Sequence, residues 1–146
     1  MSATTMSKDE REAFLAETHV AVISVVDGGR APLTVPVWYH YASGGVIRFV
    51  TGGASRKARL LRASGRLSLC VQTEAPPYKY ASVEGPARIV GAPDFERDVK
   101  AMAVRYLGAA MAEMYLSATA DERAGSVLVE LVPERWLTVD YAKAFG

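Results

Sequence analysis

The chain has 146 residues, half of them hydrophobic and 23% charged, with a formal net charge of +1. That length suits a single domain spanning 1–146, and the composition excludes a disordered or membrane-spanning chain. So small a net charge supplies no global field for nucleic acid or an anionic membrane, so any anion site has to be local.

Cys70 is the only cysteine, no apolar run approaches membrane-spanning length, and Met1–Arg11 has no apolar signal core. These features predict a cytoplasmic protein. Twelve arginines against five lysines, with no asparagine, point to a GC-rich source.

Ser7 and Glu10 form a capping-box pattern ahead of Phe14 and Leu15, which predicts a helix over 7–17. His19–Val26 is nearly all apolar and reads as a buried strand. Asp27-Gly28-Gly29 is a hairpin turn. Ala31–Tyr41 alternates, with Leu33, Val35, Val37, Tyr39 and Tyr41 on one face and Thr34, Pro36, Trp38 and His40 on the other. Pro36 cannot donate a ladder hydrogen bond, so this strand lies at an edge or carries a bulge. Val46–Thr51 is a third strand, and Ser55–Ser64 a short basic helix that stops at Gly65. Arg66–Thr73 and Tyr78–Val90 are strands, the second bent at Gly85-Pro86. Pro93–Leu107 and Ala109–Ala118 read as helices. Ser126–Val132 and Trp136–Tyr141 are two pieces of a last strand joined at Pro133. The predicted class is mainly β with α (α+β): a six-stranded antiparallel split β-barrel with flanking helices.

The segment Thr51-Gly52-Gly53-Ala54-Ser55-Arg56-Lys57 carries the clearest chemistry. A strand ends, glycines turn the chain, and a helix begins with unpaired N–H groups that attract anions. Arg56 and Lys57 crowd that positive end, where acids are the usual occupants. Two readings are open: a phosphate site, or basic residues facing solvent. Arg59 and Arg62, further along, either assist or are solvated. The Thr34, Pro36, Trp38, His40 face is packed under a helix or subunit, or is a flat wall for an aromatic ring system. Gln72 and Ser68 are candidate hydrogen-bond partners for a heterocycle, and Tyr78, Lys79 and Tyr80 candidates to close over a ligand. His19 and His40 with one cysteine make no zinc set, so no metal is expected. No Walker pattern, G-x-G-x-x-G or G-x-S-x-G occurs.

The order of elements resembles the pyridoxamine-phosphate-oxidase-like split barrels, and specifically their deazaflavin branch. The resemblance rests on Pro32–Tyr39, Ser55–Arg62, Arg66–Gln72 and Ser82–Pro86, and covers about residues 8 to 141. It implies a homodimer with two equivalent cofactor sites between subunits. It implies that Lys57, helped by Ser55 and Arg56, holds the cofactor phosphate. The strand around Val35, Pro36, Val37 and Trp38 would lie along the tricyclic ring. With the other candidates, Thr51, Arg62, Gln72 and Tyr78, these form the expected cofactor set. The implied cofactor is coenzyme F-420, with FMN in relatives elsewhere; the GC-rich usage favours the deazaflavin. The longer C-terminal tail of true pyridoxamine-phosphate oxidases has no counterpart here, which argues against vitamin B6 oxidation. The expected activity is hydride transfer from the reduced deazaflavin to an unsaturated small molecule, with His40, Tyr78 or water supplying a proton. An FMN-dependent oxidoreductase and a non-catalytic F-420 carrier are the alternatives.

Overall fold

The computed structural model describes residues 2–145. Helix α1 (Lys8–Ala16) starts at the expected capping box: the Glu10 N–H donates to Ser7 Oγ at 3.2 Å, and the Ser7 N–H donates to the Glu10 carboxylate at 2.7 Å. Phe14 and Leu15 bury its inner side. Its C-terminal Leu15 carbonyl, left without a helical donor, accepts the Tyr39 hydroxyl at 2.6 Å.

The strands are β1 (Ala21–Val25), β2 (Leu33–Val37), β3 (His40–Tyr41), β4 (Ile47–Gly52), β5 (Arg66–Gln72), β6 (Lys79–Ile89), β7 (Ser126–Leu131) and β8 (Arg135–Asp140). They pair antiparallel in the order β2-β1-β5-β6-β7-β4-β3, with β8 added on β6. The two ends of that path, β2 and β3, are consecutive in the chain. The curled sheet thus returns on itself as the expected split barrel, around a core that includes Ile23, Phe49, Leu69, Val83, Val129 and Leu131. Pro36 sits on β2, at the end of the hydrogen-bonded path, where its missing donor costs nothing.

Eight strands stand where six are expected, for two physical reasons. The strand read over 31–41 breaks at Trp38–Tyr39. There the Tyr39 N–H donates to the Tyr106 hydroxyl at 3.1 Å, which itself donates to the His19 carbonyl at 2.6 Å. A tertiary contact has taken the place of a ladder bond. The last strand is two strands, because β7 and β8 occupy successive stretches of the same edge of β6. Val132 and Glu134 donate to the Pro86 and Glu84 carbonyls, both at 2.9 Å. A Cβ at Gly85 would overlap the Val132 carbonyl oxygen, so the crossing needs glycine.

Two further expectations are corrected. β1 is buried on one face only: Ala21, Ile23 and Val25 point inward, while Val20, Val22 and Val26 are exposed. The helix read over 93–107 opens with a wide π-helical turn (Phe95–Lys100), in which the Ala101 N–H reaches back to the Glu96 carbonyl, before α3 (Ala101–Leu107). Asp98 lies within it: buried, it accepts the Asp94 N–H at 2.8 Å and the Arg97 guanidinium at 2.7 and 2.8 Å. The remaining α-helices are α2 (Arg56–Ser64), capped by Ser55 and by left-handed Gly65, and α4 (Ala109–Ala118), which follows α3 through Gly108; short 3-10 turns follow at Ala120–Arg123 and Tyr141–Ala144. Among the described residues no helix is long and apolar enough to cross a membrane.

Candidate functional site

A cleft of about 490 Å³ opens between the barrel and the helices, a size within the range of small-molecule sites. Its barrel wall comes from Pro36, Val37, Trp38, Val50, Thr51 and Gly52, with Lys57 at one end. Its helical wall comes from Val99, Met102, Tyr115, Thr119, Glu122 and Arg123. Val20, Asp98 and Ser126 complete it.

The polar end is set by the meeting of β4 and β7. Gly52 is the register partner of Ser126, and the Gly53 N–H donates to the Gly125 carbonyl at 2.9 Å. A Cβ on Gly53 would lie 2.7 Å from that oxygen, so only glycine permits the approach. Arg62 donates to the Gly53 carbonyl at 2.7 Å and clamps the turn from α2. Ser55 Oγ accepts the Ala58 N–H at 3.2 Å and lies 3.3 Å from Thr51 Oγ1. The first N–H groups of α2 have no partner within the helix, and no acid lies in its first turn. Arg56 pairs with Asp27, whose carboxyl it holds below the ordinary range by hydrogen bonding. Lys57 makes no ion pair among the described residues and faces the cleft.

At the apolar end, Trp38 stacks on Tyr106 with ring centroids 5.0 Å apart and planes at 4°, and Tyr115 meets it at 5.3 Å. The helix-packed reading of this strand face describes the covered side of Trp38, while its remaining surface lines the cleft. Asp98 is kept ionised, first by the hydrogen bonds from Arg97, and Arg48 approaches it at 3.7 Å. Its charge is thereby matched within the wall.

Of the residues singled out in the sequence, Pro36, Val37, Trp38, Thr51 and Lys57 meet in the cleft. Ser55, Arg56 and Arg62 surround its polar end but are engaged in capping, in the Asp27 pair and in the glycine clamp. Val35 packs against the core, and Gln72 lies exposed at the end of β5, opposite Tyr80. Tyr78 belongs to a separate open depression with Pro76, Pro77, Tyr141 and Phe145. His40 receives a hydrogen bond from Arg48 at 3.0 Å and is not among the cleft residues. Burial, and then the Arg48 cation, push its pKa down. Cys70 is half-buried and its thiol pKa is raised by burial, so it is no ready nucleophile.

The sequence reading missed the far wall from Asp98 to Ser126. Val99 and Met102 carry the spacing of an ordinary core-facing stripe. The glycine at 125, opposite Gly52-Gly53, is the one local signal of a close chain approach.

The arrangement suits a ligand that carries both an anion and a flat apolar ring. The unpaired Lys57 cation, the bare glycine turn and the Trp38 wall all fit a flavin-type phosphate ester.

Solved structures share the fold. The conserved hypothetical protein Rv2991 of Mycobacterium tuberculosis is 23% identical, with a TM-score of 0.80 over 100% of this chain and 92% of its own. An F420 reductase is 20% identical, with a TM-score of 0.63 over 86% of this chain and 94% of its own. An FAD-binding protein of Mesorhizobium loti is 21% identical, with a TM-score of 0.62 over 91% and 94%. No curated protein matches. The family model described as pyridoxamine 5'-phosphate oxidase matches residues 7–140, nearly the whole length, and the chain belongs to that family.

Proposed function

We propose that the cleft binds a phosphate-bearing flavin-type cofactor, coenzyme F-420 in preference to FMN, and that the protein is a cytoplasmic oxidoreductase. The observation that carries this reading is Lys57, a cation without a partner among the described residues, lining one cleft together with the Trp38 ring. The family match supports it, as does a fold shared with an F420 reductase and an FAD-binding protein.

When bound, the reduced deazaflavin supplies a hydride for an unsaturated small molecule. The chain's own residues position and shelter it. Lys57 and the α2 N–H groups hold the phosphate end. Trp38, held on Tyr106, presents an apolar wall to the ring and excludes water. Neither His40 nor Tyr78 lines the cleft, which leaves water of the three expected proton sources.

A homodimer is part of this proposal. Pro36, Val22, Cys70, Ser82 and Leu137 lie in register across five strands on the outer sheet face. That row carries no charge, and Leu137 is 64% exposed. Pro36 stands both in the row and in the cleft wall, so a second copy on this face would border the cleft.

Fluorescence titration with F-420 and FMN tests the binding, and mixing the reduced F-420 complex with enones and quinones tests turnover. The expected result is saturable binding, tighter for F-420, and oxidation of the cofactor by at least one acceptor. Failure to bind either sinks the proposal. Binding without turnover selects a carrier.

A further inference from the structure

We infer that Arg123 is the second phosphate-reading cation of the cleft, and that with Lys57 it sets the preference for phosphorylated over unphosphorylated cofactors. This rests on the proposed flavin-type ligand and extends it to a residue on the opposite wall.

The sequence places the cations of a phosphate site on α2, at Arg56, Lys57 and Arg62. The structure commits two of those three elsewhere: Arg56 to Asp27, and Arg62 to the Gly53 carbonyl. Arg123 fills the vacated role. It lines the cleft and makes no ion pair among the described residues. It lies three positions before Ser126, the register partner of Gly52, just as Lys57 lies five positions after Gly52. The two chains are tied at that junction by the Gly53–Gly125 hydrogen bond. The backbones that carry Lys57 and Arg123 are therefore tied at one junction, and both side chains line the cleft.

The Arg123 side chain is held in place. Its Nη1 donates to the Leu116 carbonyl at 2.9 Å and to Thr119 Oγ1 at 3.1 Å, and its guanidinium lies 5.5 Å from the Phe95 ring centroid. Its Nε and Nη2 donors have no acceptor among the described residues, and an arginine offers a phosphate a paired edge that a lysine does not. Glu122 lines the same wall with no cation paired to it. An acceptor in that place suits hydroxyl groups next to the anion. Asp98 is already matched by Arg97, so two cations face one free carboxylate before a ligand enters.

The test compares ligands with and without the phosphate: FMN against riboflavin, which differ only there, and F-420 against the deazariboflavin that lacks its whole phosphate-linked tail. Dissociation constants are measured for the whole protein and for Arg123→Gln and Arg123→Lys. Arg123→Gln is expected to weaken FMN and F-420 at least tenfold and to leave the phosphate-free partners within twofold. Arg123→Lys is expected to recover part of the preference. Equal losses for both members of a pair would make Arg123 a wall-forming residue only, and unchanged values would give it no part; either overturns the inference while the cofactor reading stands. If the unaltered protein binds none of the four compounds, both readings fall together.

Discussion

Lys57 carries the proposed binding, because its charge has no counterpart among the described residues. Removing a charge-assisted bond to phosphate costs about 1.5–3 kcal/mol. Lys57→Ala is accordingly expected to raise the dissociation constant for F-420 or FMN by about ten- to a hundredfold. Arg56→Ala, measured in the same titration, should change it far less, since that guanidinium is already engaged by Asp27. Equal effects of the two substitutions would contradict the division of roles. Neighbouring residues of the same charge thus differ in what they have left to offer a ligand, and the difference is made by a hairpin some thirty positions away. No local pattern around Ser55-Arg56-Lys57 could reveal it.

Among the elements, α1 has an electrostatic tie that the sequence does not announce. Its capping residue Glu10 also accepts from the Lys143 ammonium at 2.6 Å. That bond, ahead of the Ser7 N–H, pulls the carboxyl from an ordinary 4.5 down to about 2. A carboxyl depressed on folding stabilises the folded state above its unfolded pKa, and the contribution is lost as pH falls through the folded value. Glu10→Gln should therefore melt below the unaltered protein at neutral pH, and the two melting curves should converge as pH falls from about 4.5 towards 2. A gap that stays constant with pH would show that the carboxylate charge contributes nothing.

The cap itself was legible because Ser7 and Glu10 are three residues apart, and the same holds for Ser55 and Gly65 around α2. The strand break at Trp38–Tyr39 and the π-helical turn at Asp98 were not. The strand break depends on a group that folding brings from elsewhere, the Tyr106 hydroxyl, and the turn on the burial of Asp98, which packing decides. The cleft divides the same way. Its Thr51–Lys57 side is a continuous stretch with its own turn and cap, whereas Arg123 and Ser126 arrive through pairing of β4 with β7.

For the whole molecule, the uncharged row from Pro36 to Leu137 gives the proposed dimer a definite location. Leu137→Glu places a charge at its exposed end, and burying an unpaired carboxylate is strongly unfavourable. Light scattering should find twice the chain mass for the unaltered protein and a shift towards the single-chain mass for the variant. A single-chain mass for the unaltered protein would remove the dimer. The hydroxyl of Tyr106 bridges the interrupted strand while its ring supports the indole of Trp38. The Trp38 wall is thus bolted to the closure of the barrel and resists retuning. The opposite wall, where Thr119, Glu122 and Arg123 belong to no strand, takes no part in that closure, and a redesign of ligand preference has most room there.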